Sequence, residues 1–187
     1  MKKLSVKDLM VPLEEYATVS QEATLYEAVL ALEKAQNELD RQRYQYLHRA
    51  VLVYNRKGKV VGKVSQLDAI RALEPRYNEI GDPRGLSKTG FSPSFLRSML
   101  SQYSLWDRTL ADICTKAMQI KVKEFMYTPS EGEFVDEEAS LGEAIHMLVM
   151  GQHQSLLVTR RGRDIVGVLR LTDVFKEIFQ QIKSCKI

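Results

Sequence analysis

Two aspartates in this chain stand where a carboxylate could meet a small molecule. Asp68 and Asp173 each follow an apolar run, VVGKVS and IVGVLR, and each opens a stretch that reads as a helix. A carboxylate at that place can accept from a pair of neighbouring sugar hydroxyls. The first helical turn beside it offers unpaired backbone N–H groups and the positive end of the helix dipole to an anion. Ser65 lies three residues before Asp68, and Thr172 lies one before Asp173. Arg170, three before Asp173, adds a guanidinium that can hold an anion through two parallel hydrogen bonds. The same spacing also has a plainer meaning. Ser65-x-x-Asp68 is a capping box, and Thr172 can simply cap its own helix.

Other chemistries find little support. No Walker loop, dinucleotide fingerprint, Gly-x-Ser-x-Gly elbow or His-Glu-x-x-His is present. His146 has Met150 rather than a ligand four residues on, so a metal site from His146, His153 and Cys114 exists only on paper. The chain therefore reads as a non-enzyme. Cys114 and Cys185 follow no metal or redox spacing and are too few for a disulfide framework, which suits a reducing cytoplasm. Twenty-seven basic and 24 acidic residues leave a net charge of only +3. The clusters Arg56, Lys57, Lys59 and Arg160, Arg161, Arg163 carry no interleaved aromatics, so they read as loop charge rather than a nucleic-acid surface. No apolar run sustains a signal peptide or a membrane span. With 187 residues, 44% of them hydrophobic, the chain can bury one ordinary core or two small ones.

The elements that position the two aspartates come from an internal repeat. Val6-Lys7-Asp8-Leu9-Met10 matches Val122-Lys123-Glu124-Phe125-Met126, and Thr24-Leu25-x-Glu27-Ala28 matches Ser140-Leu141-x-Glu143-Ala144, both at an offset of 116. Further on, His48, Leu52-Val53, Gly62 and Asp68 match His153, Leu157-Val158, Gly167 and Asp173 at an offset of 105. The first copy thus carries 11 more residues, between about Glu33 and Leu47. That stretch lacks proline and glycine, and 11 residues make about three helical turns, so a lengthened helix is expected, projecting with Gln36, Asn37, Asp40 and Arg41 toward solvent or a partner.

Each copy reads alike. Capping boxes Thr24-x-x-Glu27 and Ser140-x-x-Glu143 open helices whose apolar faces carry Leu25, Ala28, Val29, Leu32 and Leu141, Ala144, Ile145, Leu148. Strands follow over 50–54 and 60–64, and over 156–159 and 165–169, joined by turns at 55–58 and 160–163. Closing helices are predicted over 67–73 and 172–182. Between the copies, Pro75, Gly81, Pro83, Gly85 and Gly90 mark an irregular linker; Ser92-Pro93 then caps a helix, and a second short helix is expected from Asp107. This helical pair covers the repeats as a connector, or serves as a lid or dimer contact.

VKDLMVP…ATVSQEATLYEAV with HRAVLVYNRKGKVVGKVSQLDAI, and VKEFMYTP…FVDEEASLGEAI with SLLVTRRGRDIVGVLRLTDVF, resemble two CBS domains, the tandem regulatory arrangement called a Bateman module. The likeness covers residues 5 to 73 and 121 to 180. It implies an α/β (α+β) fold: two strand-helix-strand-strand-helix repeats, residues 5–75 and 119–187, packed about a pseudo-twofold axis, with a helical linker over 76–118. It also implies two clefts for adenosine-containing ligands such as AMP, ADP, ATP or S-adenosylmethionine. By resemblance Asp68 and Asp173 hold ribose, while Ser65 and Thr172 occupy positions used against phosphate. His48-Arg49 resembles a pair aimed at phosphate. The second copy has His153-Gln154 instead, and Arg170 reads as its compensating cation. The base would lie near Thr18, Val19 and Val64 in one cleft, or Val135 and Leu169 in the other.

Two readings follow. In one, the protein is a sensor of an adenine nucleotide, with no resident cofactor, that signals to an effector protein. In the other, the clefts are empty and the chain is a dimerising scaffold. The resemblance implies a homodimer in either case, and with no output domain in the sequence the effector is expected to be another protein or another copy of this one.

Overall fold

The computed structural model describes residues 4–80, 90–107, 112–162 and 164–185. The first repeat runs α1 (Val6–Leu9), β1 (Val11–Pro12), β2 (Thr18–Ser20), α2 (Leu25–Glu38), β3 (Ala50–Tyr54), β4 (Val60–Ser65) and α3 (Gln66–Leu73). The linker holds α4 (Pro93–Gln102) and α5 (Ile113–Gln119). The second repeat runs β5 (Phe134–Asp136), α6 (Leu141–Gly151), β6 (Ser155–Arg160), β7 (Asp164–Arg170) and α7 (Leu171–Ser184). The hairpin strands and closing helices expected from pattern thus form within a residue or two. Of the linker residues singled out in the sequence, Gly81, Pro83 and Gly85 lie outside the described residues, as does Arg163 of the second turn; Asp107 is in a turn rather than at a helix start, and the short helix expected there begins at Ile113 after its N-cap Asp112.

Local chemistry explains the boundaries. Thr24 caps α2 reciprocally with Glu27, and Ser140 caps α6 by accepting the Glu143 N–H at 3.2 Å. Ser92 accepts the Phe95 N–H at 3.1 Å, with Pro93 supplying the preset φ of the first helical position. In both repeats the edge strand pairs in parallel with the centre of a hairpin: β2 with β3 and β5 with β6, while β3 and β4, and β6 and β7, run antiparallel. The turn at 55–58 is closed by Asn55, whose side chain accepts the N–H groups of Lys57 and Lys59, and by Gly58 at φ 73°.

The repeats interlock by exchanging their leading segments. β1 pairs with β7 of the other repeat, Val11 opposite Val168, and Tyr127 pairs with Lys63 of β4. These two contacts map onto each other under the sequence offsets of 116 and 105. So do Val6 N–H to Ala139 O at 3.0 Å and Val122 N–H to Ala23 O at 2.8 Å, and the bridges Ser5 to Ser140 and Thr24 to Lys121. The reciprocity is consistent with a pseudo-twofold axis. Val6 and Val122, each wholly buried, seat the exchanged segments, and Val11, Leu52, Leu157 and Val168 form the apolar seam between the sheets. Gly62 and Gly167 make the exchange possible. A Cβ on Gly167 would lie 2.5 Å from the Val11 carbonyl oxygen, and one on Gly62 would lie 2.7 Å from Met126 Sδ.

The 11-residue difference does not lengthen a helix as its composition suggests. α2 ends at Glu38, about one turn beyond the point equivalent to the end of α6, and the chain folds back. Burial overrides helix propensity there, because Leu39 and Tyr44 are 7% and 4% exposed and join the seam. Asp40 makes the turn, accepting the N–H groups of Gln42 at 2.8 Å and Arg43 at 3.3 Å.

Candidate functional site

The second of the two aspartates is sealed. Arg170 ends β7 in the N-cap position of α7, and Asp173 is the third residue of that helix. Their side chains form a two-point ion pair, Nη2 to Oδ1 at 2.8 Å and Nε to Oδ2, with the residues 5% and 7% exposed. Arg170 Nη1 donates to the Tyr46 carbonyl at 3.0 Å and lies 3.2 Å from His48 Nδ1, and the Tyr44 ring sits 5.3 Å from the guanidinium carbon. His48 Nε2 meets the Glu15 carbonyl oxygen at 3.1 Å, and Tyr16 packs on the imidazole at 4.5 Å between centroids. Since Arg170 can only donate and the Glu15 carbonyl can only accept, this network assigns the proton of neutral His48 to Nε2.

The electrostatics agree with that assignment. Burial, reinforced by the Arg170 charge, pushes His48 down to about 4, and burial pushes the hydroxyls of Tyr16 and Tyr44 up to about 12. The cluster carries one fixed positive and one fixed negative charge, each satisfied by the other.

The first aspartate is engaged differently. Asp68 Oδ2 accepts from Ser65 N at 2.9 Å and Ser65 Oγ at 2.7 Å, and Ser65 Oγ accepts the Asp68 N–H at 3.2 Å. The capping reading is therefore realised here. It uses only one carboxylate oxygen, and Oδ1 takes no hydrogen bond among the described residues. The junction between repeats on this side holds a second buried ion pair. Glu133, 1% exposed, takes Lys63 Nζ on Oε2 and Tyr127 Oη at 2.5 Å on Oε1. These donors keep the Glu133 carboxyl below the usual carboxylate range although its burial opposes them.

The remaining residues anticipated for binding divide clearly. Thr18 is exposed at the rim of a cavity of about 500 Å3 lined by Tyr16, Ala31, Lys34, Ala35, Glu38 and Arg43, among others. Val19, Val64, Val135 and Leu169 belong to the two repeat cores, although Val64 and Ser65 also floor an apolar groove of about 380 Å3 between α2 and α3. Arg49 is exposed and gives its carbonyl to Gln66 N–H at 3.2 Å. Thr172 is half-buried. His153 lies over the last turn of α6, where a Cβ on Gly151 would come within 2.1 Å of its Nε2.

Two sequence expectations need correcting. His48 was grouped with Ser65 and Asp68 of its own repeat, yet its imidazole crosses to Arg170 and Asp173 of the other, because the interlocked segments face each aspartate with the opposite copy. Arg170 was expected to present an open cation, yet it is consumed by Asp173 and the Tyr46 carbonyl. Tyr16, Tyr44 and Tyr46 were missed. The signal was the two tyrosines inside the otherwise polar insertion, which suit an interior better than a projecting helix. Among the described residues no three His, Cys, Asp or Glu side chains cluster to hold a metal ion. No helix of the described residues is long and apolar enough to cross a membrane.

Comparison with known proteins agrees with this architecture. CBSX2 from Arabidopsis thaliana is 15% identical, with 98% of this chain and 100% of that one covered at a TM-score of 0.60. A CBS domain-containing protein of unknown function from Bacillus anthracis is 17% identical, with 95% and 94% covered at 0.59. A structure of CBSX2 in complex with AMP is 17% identical, with 95% and 98% covered at 0.56. No curated protein matches the sequence. The sequence also matches the CBS domain family over residues 6–75 and again over 122–180, the two copies whose exchanged strands have just been described, and this chain accordingly belongs to that family as a pair of CBS domains.

Proposed function

We propose that this protein is a non-catalytic regulatory module that binds an adenosine-containing ligand between its two CBS repeats and passes the resulting change to a partner protein. The observation that carries the reading is the state of Asp68. Its Oδ2 is held by the Ser65 cap at the first turn of α3, while Oδ1 is left for a ligand hydroxyl. The helix N-terminus beside it suits phosphate or another anion. The AMP complex of CBSX2 supports the ligand class by likeness of fold. A ligand gripped by both repeats has a different affinity for each relative placement of them, which is what a signal requires. The unpaired, exposed Cys114 and Cys185 suit a reducing cytoplasm.

Thermal unfolding in the presence of AMP, ADP, ATP and S-adenosylmethionine tests this, because a ligand that binds only the folded state raises its apparent stability. A rise selective for one or more of these ligands is expected, and a flat response at millimolar ligand would overturn the reading. A second reading, a dimerising scaffold, is favoured by the apolar residues left exposed on α3 and α7. Leu67 and Ile70 are 74% and 54% exposed, and Phe175, Phe179 and Ile182 are 58%, 47% and 62% exposed. It predicts a homodimer whose association is indifferent to nucleotide.

A further inference from the structure

We infer that the insertion of the first repeat, through residues 39–47 and the adjoining His48, is a built-in occupant of the second cleft, which leaves the first cleft as the one that takes the adenosine ligand. The inference rests on the sensor reading above for the identity of the ligand, but not for the occlusion itself. Asp173 has no accessible carboxylate edge, since both oxygens are held by Arg170. Over that pair lie the Tyr44 ring, the Tyr46 carbonyl and His48, backed by Tyr16. A ligand entering there would have to break the ion pair and expel a packed tyrosine.

Of these fillers only His48 has a sequence counterpart in the second repeat, His153. The offset of 105 puts Ser65 where Arg170 stands and Asp68 where Asp173 stands. Strand register, with Thr18 of β2 matching Phe134 of β5, aligns Gly132 with Tyr16 in sequence, but Gly132 lies inside the 3-10 turn Glu131–Glu133 whereas Tyr16 is extended. The insertion has no counterpart at all. A Cβ on Gly132 would meet nothing within 4 Å, whereas Tyr16 is 7% exposed. One cleft is thus closed by Arg170, Tyr16 and Tyr44, and the other is relieved of all three.

Calorimetric titration with AMP, combined with amide hydrogen exchange of the ligand-free protein, tests the inference. The intact chain should bind about one AMP, Asp68→Ala should abolish that binding, and Tyr44→Ala or Arg170→Ser should leave the first site and open a second. Two AMP molecules bound to the intact chain, or binding that survives Asp68→Ala in a folded protein, would overturn the inference while leaving the sensor reading intact. If no adenosine ligand binds at all, the sensor reading fails and exchange alone decides the occlusion. Slow exchange over 39–48 that is lost in Tyr44→Ala supports it, and exchange as fast as in the exposed turn at 55–58 overturns it.

Discussion

Tyr16 and Gly132 share a place in strand register, yet Tyr16 is extended and buried while Gly132 sits exposed inside a 3-10 turn. Tyr16 packs its ring on His48 at 4.5 Å in a sealed seam, whereas a side chain at Gly132 would project into open space. Similar asymmetry recurs at the aspartates, where the N-cap partner is a guanidinium in one copy and a hydroxyl in the other. The repeat has kept its frame and lost the likeness of its two clefts.

Substitution of the two aspartates should therefore cost unequal stability. Asp68→Ala removes one partner of a half-buried capping box, and a loss of about 1 kcal/mol is expected. Asp173→Ala strands the buried Arg170 charge, and a loss of about 3–5 kcal/mol is expected. Urea unfolding of both variants checks this, and equal losses would contradict the sealed pair.

His48 should make the fold sensitive to mild acid. Its folded value, down to about 4 from 6.5, means that the unfolded chain takes up the proton first. The stabilisation is therefore complete above pH 6.5 and is lost as pH falls toward 4, by something on the order of 3 kcal/mol. The groups facing the imidazole are Arg170, Asp173, Tyr16 and the Glu15 backbone, with the Glu15 carboxylate nearby. Several carboxylates with lowered values, Glu133 among them, also lose stability in acid, so the test is a difference. Between pH 7 and 4 the His48→Gln variant should lose less stability than the parent protein, and parallel profiles would refute the role of His48.

The two exchange glycines should respond differently to a methyl group. Gly167→Ala drives a Cβ to 2.5 Å from the backbone oxygen of Val11, which cannot rotate away, whereas Gly62→Ala meets the flexible end of Met126 first. Losses of about 2–3 kcal/mol and about 1 kcal/mol respectively are expected from urea midpoints.

The linker is anchored by one buried carboxylate. Glu74, fully buried, accepts from Arg76 Nε at 2.8 Å and from the Trp106 N–H at 2.9 Å, while Trp106 Nε1 donates to Tyr77 Oη at 3.0 Å. Glu74→Ala should release that segment and shift the emission of Trp106, the single tryptophan, to longer wavelength. An unchanged spectrum would show that the anchor lies elsewhere.

Much of this was legible in the sequence because it is local. Capping boxes at Thr24 and Ser65, the short apolar runs of the hairpins and the matching Gly62 and Gly167 announce themselves over short windows. The exchange of β1 into the opposite sheet was not legible, since a two-strand pairing such as Val11 to Val168 leaves no periodic trace. For the same reason His48 was paired with the wrong aspartate. The insertion misled because its polar helix formers outnumber Leu39 and Tyr44, yet those two buried residues decide where the segment goes.

The most direct test of the central claim is a crystal structure of the protein grown with AMP, or with whichever adenosine ligand raises its unfolding temperature. Density is expected in the first cleft alone, with the ribose hydroxyls on Asp68 and with Tyr44 and Arg170 unmoved. Ligand seated on Asp173 with the 39–48 segment displaced, or lodged in the cavity beside Thr18, would contradict it.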